Sequence, residues 1–281
     1  MRHLLPYLFL ITFLAGCDAD VWQPYSSELV VEGWIEGEGF PVVMVTKTVP
    51  LSTDKQPKDS LANYLVKWAT VSVSDGDTTV FLTGKYDKGY FPPYVYTTTA
   101  MRGKEGKSYH LRVEYRDYCA TATTTVPAAP AVEGFYLERA EGKETYYIVN
   151  AILNDPEETK NYYQLFSRVG GKEKQFLTSY LGNFDDNVLK RPAVLPIYRG
   201  RKLGSNNIYT PYFLAGDTVA VKVAQIDAEA YRFWRGYNDI LSNGSNQFFT
   251  PAQNVRGNVE GARGYWHGMG CRTAHFIIPY L

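Results

Sequence analysis

Short runs of β-branched and aromatic residues, each closed by a glycine, asparagine or aspartate turn, narrow the fold of this chain more than any other feature. Leu29 to Ile35 and Val42 to Thr46 are two such runs, parted by Glu36-Gly37-Glu38-Gly39. Val71-Ser72-Val73-Ser74 alternates, breaks at Asp75-Gly76-Asp77 and resumes at Thr79-Val80-Phe81-Leu82. Asp-Gly supplies the positive φ of a tight hairpin. From Tyr109 to Tyr115, Tyr, Leu, Val and Tyr fall on one side and His110, Arg112 and Glu114 on the other. That period of two marks a half-buried strand. A turn at Arg116-Asp117 leads into Tyr118 to Thr125. Strands so short and so regularly punctuated predict an immunoglobulin-like β-sandwich over residues 28–127. Val126-Pro127-Ala128-Ala129-Pro130 closes it, because two nearby prolines interrupt a strand.

Residues 128–281 read as a second β-rich domain. Strands are expected at Gly134 to Leu137, Tyr146 to Leu153, Asn161 to Phe166, Thr218 to Ile226 and Thr273 to Pro279. Residues 182–216, rich in Asn, Gly, Pro and Tyr, read as a long irregular loop, and loops of that length are functional or partly disordered. One amphipathic helix is expected near 228–242. Asp227 caps it, and Tyr231, Trp234 and Leu241 form a stripe with Phe233, Tyr237 and Ile240 beside it. Such a stripe is first of all core packing. The expected fold class is therefore mainly β: a sandwich followed by a β-rich domain carrying one helix.

The chain has 23 tyrosines against 14 phenylalanines. Tyrosine suits strands, and its amphipathic ring also suits surfaces that are half wet and half buried. Basic and acidic residues number 29 each. So even a balance lacks the strongly basic face that nucleic acid requires, and no nucleic-acid partner is expected.

The first residues are of another kind. Met1-Arg2-His3 is a short basic start, and Leu4 to Leu14 is apolar apart from Pro6 and Thr12. A hydrocarbon core about 30 Å thick takes roughly 20 helical residues to cross, so this run reads as a signal segment, not a span. It ends in the lipobox Leu14-Ala15-Gly16-Cys17, in which small residues precede a cysteine able to take a diacylglycerol. The expectation is a signal peptide over residues 1–16, a lipidated tether over 17–27, and a membrane held through lipid on Cys17. Two or three acyl chains anchor stably where one does not. An exported compartment also permits a disulfide, for which Cys119 and Cys271 are the remaining partners.

Chemistry is harder to find. His267 and His275 lie eight residues apart without the paired cysteines or the carboxylate that would complete a metal-ligand set, so no metal is expected. His110 sits on the polar side of its strand. The chain has no G-x-S-x-G, H-E-x-x-H or P-loop. The acidic pairs Glu157-Glu158 and Asp185-Asp186 read as solvated turns. Neither catalytic residues nor a cofactor is expected.

Several stretches, in order, carry a resemblance. They are the lipobox, Leu29 to Ile35, Val71 to Gly76, Gly106 to Val113 and Ala122 to Pro127. Asp155-Pro156 with Asn161-Tyr162-Tyr163, Tyr231 to Trp234, and Asn254 to Gly264 complete the set. Together they resemble family 4249 among the domains of unknown function, a family of Bacteroidota lipoproteins. Ala262 and the two extra cysteines depart from its pattern. The resemblance implies an outer-membrane lipoprotein, on the periplasmic or the surface face, commonly encoded beside TonB-dependent receptors. It implies no catalytic residues. The function expected is a non-catalytic accessory or ligand-capture partner of a TonB-dependent transporter. A free-standing surface adhesin or structural module is the alternative, with a surface hydrolase behind both.

Overall fold

The computed structural model describes residues 27–48, 62–143, 145–154, 159–186, 193–201, 209–243 and 255–280. Within them β1 (Leu29–Glu36) sets the pattern for the whole. Leu29, Val31 and Ile35 are buried, while Val30, Glu32, Trp34 and Glu36 turn to the other side. β1 is a central strand of an eight-stranded sheet. Its members are β2 (Val42–Lys47), β5 (Thr83–Tyr86), β6 (Tyr94–Thr97), β11 (Tyr162–Val169), β12 (Leu177–Asp185), β15 (Thr218–Ile226) and β16 (Arg263–Ile277). The order is β12-β11-β15-β16-β1-β2-β6-β5. The large sheet thus draws strands from both sides of residue 127.

Two smaller sheets lie on one face of the large one. The first joins β3 (Thr70–Ser74), β4 (Thr79–Phe81), β7 (Ser108–Tyr115) and β8 (Tyr118–Thr125) in the order β4-β3-β7-β8. The expected hairpin is there, with Gly76 at φ 94° and Asp75 Oδ1 accepting from the Asp77 and Thr78 amides. The second is built on β10 (Tyr146–Leu153), flanked by β9 (Val132–Arg139) on one edge and by β13 (Ala193–Ile197) and β14 (Phe213–Leu214) on the other. Val31, Val43, Val73, Leu111, Val113 and Trp266 fill the core under the first small sheet. Val149, Leu165, Leu195, Phe213, Val221 and Val223 fill the core under the second.

β16 belongs to both halves. Residues 263–269 run parallel to β1, and residues 270–277 run antiparallel to β15. The sequence predicts a strand only from Thr273, because Gly264, Gly268 and Gly270 weaken strand propensity. Those glycines have a packing reason. A Cβ at 268 would collide with the Thr125 carbonyl, and one at 270 with the carbonyls of Pro127 and Ala128. Only bare backbone lets β16 pass so close to the end of β8. The loop expected over 182–216 is likewise part strand, in the end of β12, in β13 and in β14. β13 carries Pro196, and an edge position tolerates the missing donor.

The opposite face of the large sheet carries α1 (Ala228–Asn243). Asp227 caps it as expected, its carboxylate accepting from the Ala230 amide at 2.7 Å. Phe233 meets Tyr265 with ring centroids 4.8 Å apart, and Tyr231 meets Tyr162 at 5.0 Å. At Tyr231, Phe233 and Trp234 the helix stripe is core packing, as its periodicity predicts; the side chains of Ile240 and Leu241 lie outside what the structure describes.

Candidate functional site

Cys17 and its lipobox lie outside the described residues. Cys119 and Cys271 are free thiols and are not joined to each other. Cys119 is exposed on β8, while Cys271 sits half-buried on β16, where burial pushes its thiol up to about 12. His110 is exposed, with Nδ1 2.9 Å from the Thr123 hydroxyl. His275 is exposed as well. His267 is different: it is 3% exposed between Trp234 and Tyr265, and burial pushes its ring down to about 3. The imidazole is therefore neutral. On the same face of the sheet, burial pushes the half-buried Glu32 up to about 7. These two groups belong to the packing under α1, where desolvation disfavours the charged form of each. Of the acidic pairs, Glu157-Glu158 lies outside the described residues. Asp186 anchors the start of β11, accepting from the Asn161 amide at 2.6 Å.

The Asn-Gly stretch before β16 is structural. The Asn258 side chain donates to the Trp266 carbonyl at 2.7 Å and accepts from the Trp266 amide at 2.8 Å. It stands in for a neighbouring strand and holds Trp266 in the first core, where Nε1 donates to the Tyr109 carbonyl at 3.1 Å.

The residues with most to offer outside the cores lie on the outward face of the second small sheet. β10 reads Tyr-Tyr-Ile-Val-Asn-Ala-Ile-Leu, apolar on both faces. Tyr147, Val149, Ala151 and Leu153 enter the core, so Tyr146, Ile148, Asn150 and Ile152 must point outward. Strand register places Val194 beside Ile152, and Pro196 and Tyr136 on either side of Asn150. Val194 and Tyr136 are 37% and 39% exposed. Asn150, at the centre of the face, is only 3% exposed, and Tyr146, Ile148 and Ile152 are half-buried.

A chain of tyrosines continues the patch toward β12. Ring centroids run from Tyr146 to Tyr212 at 5.7 Å, on to Tyr198 at 6.4 Å, and to Tyr180 at 6.3 Å. Tyr209 adjoins Tyr180 at 6.2 Å and donates its hydroxyl to the Arg199 carbonyl. Burial pushes the phenols of Tyr198 and Tyr209 upward, the latter to about 12, so both remain donors. Lys143 lies over Tyr146 and Tyr212, its Nζ 5.0 and 4.9 Å from the ring centres. In the middle, the Asn150 amide donates to Glu138 at 2.7 Å. Edge-to-face contacts hold the rings in place before anything binds, so a partner would pay little ordering entropy on contact. A contiguous apolar patch with rigid, amphipathic rings is the usual chemistry of a protein-binding surface.

Sequence reading singled out the tyrosines of 182–216 but not the aliphatic half of this face. The signal was in β10, whose run is apolar at every position except Asn150. Such a run either lies between two layers or shows an apolar face to something else.

Fold and surface together define a mainly β protein in which two sandwiches share one sheet and one of them presents a tyrosine-lined apolar face. Residues 18–273 match the model of the domain of unknown function DUF4249, and the chain belongs to that family. No curated protein matches it.

Proposed function

We propose that this chain is a lipid-anchored outer-membrane protein of Bacteroidota that docks on a TonB-dependent transporter as a non-catalytic accessory. The observation that carries the reading is the outward face of the second small sheet, where Tyr146, Ile152, Val194, Tyr198 and Tyr212 lie together, partly exposed. A soluble monomer has little reason to keep such a patch in water, whereas a protein held beside a membrane partner does. The lipobox ending at Cys17 supports the anchor, and membership of the family fits both.

The test is recovery of the tagged chain from native membranes in mild detergent. One β-barrel transporter in near-equal amount is the expected companion, lost when Val194 is replaced by lysine. Recovery of the intact, folded chain alone at every detergent strength sinks the proposal in favour of a free-standing adhesin. Replacement of Cys17 by serine should move the protein from the membrane to the soluble fraction, and continued membrane retention would sink the anchor.

A further inference from the structure

The outward face of the first small sheet has a different chemistry. Register sets Ser72 beside Arg112, and Arg112 beside Thr121; one step along, Ser74 lies beside His110, and His110 beside Thr123. These six side chains line an open concavity of about 580 Å³, with Asn258 and Glu260 at its β8 end. At its β4 end the character changes. Phe81 stands opposite Ser72 and is 68% exposed. A large ring left this bare beside a hydroxyl-lined groove has no packing role to explain it.

We propose that this groove binds a neutral oligosaccharide, with Phe81 stacking on the C–H face of a sugar ring and the hydroxyl side chains meeting the sugar hydroxyls. Each serine or threonine hydroxyl is one donor and two acceptor sites on a free rotor, the same inventory as the groups it would meet. The charge balance points to a neutral ligand. The Arg112 guanidinium is held by Glu114, with Nε donating at 3.1 Å, and Glu260 stands at the groove's other end. An anionic polymer would find no surplus of positive charge there. A peptide binding as an added strand needs an open sheet edge. Glu260 occupies the edge of β8, exchanging backbone hydrogen bonds with Thr121 at 2.8 and 3.0 Å, and the other edge, β4, is only three residues long. A polar concavity of this size suits a few sugar units held loosely at an open surface.

The probe is a panel of soluble neutral glucans, mannans, galactans and xylans, titrated calorimetrically against the full chain in a detergent without a sugar headgroup. At least one is expected to bind. Phe81→Ala should weaken it by about tenfold or more, equivalent to about 1.4 kcal/mol. Because Phe81 is mostly in solvent, that variant folds as the parent does. Arg112→Ala should weaken the same sugar, while Ile277→Ala, an equally bare residue of the other sandwich, should not. Silence across the panel at millimolar sugar overturns the proposal. So does affinity confined to sulfated or uronic chains, or binding that Phe81→Ala leaves intact. The inference does not depend on the transporter: a silent panel leaves the docking proposal standing, and an empty membrane recovery leaves this one standing.

Discussion

The two small sheets occupy equivalent places on one face of the large sheet, yet their outward sides have opposite chemistry. The first shows Ser72, Ser74, His110, Arg112, Thr121 and Thr123 around an open groove. The second shows Ile148, Ile152, Val194, Pro196 and a chain of tyrosines. Inward, both do the same work, closing an aliphatic core over the same sheet. The inward residues satisfy one physical demand, exclusion of water, and so look alike. The outward residues face no such demand and are free to differ with what each side meets. Fold says little about function here; the contrast between the faces says more.

The comparison rests on both faces standing on one sheet, and Trp266 is where that is most easily broken. It is fully buried in the first core, on the strand that continues into the second sandwich. Trp266→Ala is expected to cost about 3–5 kcal/mol, the usual range for a large aromatic removed from a core. Because β16 runs through both halves, urea unfolding should remain a single transition displaced as a whole, with both faces lost together. Two separated transitions, the second at its parent midpoint, would show that the sandwiches are independent.

Much of this architecture was legible beforehand. β7 and β8 alternate cleanly, because one side of each is buried and the other is wet; β1 and β2 were legible as β-branched runs, and the Asp75-Gly76 turn fixed a hairpin. β16 was hidden over its first half for a physical reason: its glycines serve close backbone approach, a tertiary contact that local propensity does not register. The Asn258 clamp was legible as a type, an asparagine satisfying backbone groups, but not its partner Trp266. Neither outward face was legible as a unit. Ser72, His110 and Thr121 become neighbours only through strand register, as do Ile152 and Val194.

A third face sharpens the contrast, since the ground under α1 is neither open nor apolar throughout. In the folded chain Glu32 keeps its proton up to about pH 7, whereas unfolded it titrates at its ordinary 4.5. Its contribution to stability is thus fully present below pH 4.5 and lost as pH rises through 7. Glu32→Gln removes that loss. It should stabilise the chain by about 1–2 kcal/mol at pH 8 and hardly at all at pH 4, a gain kept below the full linkage value because the carboxyl is still partly reached by solvent. His267, held down at about 3, works in the other direction: its share is present above pH 6.5 and lost as pH falls toward 3. The acid limb of the stability profile should therefore be unchanged in Glu32→Gln. Equal stabilisation of the variant at pH 4 and pH 8 would show that the carboxyl is not desolvated in the fold.

The smallest effect on stability should come from the outward faces themselves, and there the comparison meets its sharpest test. Phe81 is 68% exposed and Val194 37%, so thermal unfolding should shift by no more than about 0.5 kcal/mol in Phe81→Lys and about 1 kcal/mol in Val194→Lys. Their binding readouts should separate completely. Lysine at 194 places a charge among aliphatic groups and tyrosines that a partner must desolvate, so capture of a membrane partner should fall by at least about tenfold while sugar binding stays at the parent level. Lysine at 81 should do the reverse. If one variant diminished both, the two faces would be parts of a single extended surface, and the division of labour drawn from their chemistry would fail even with each sandwich folded as described.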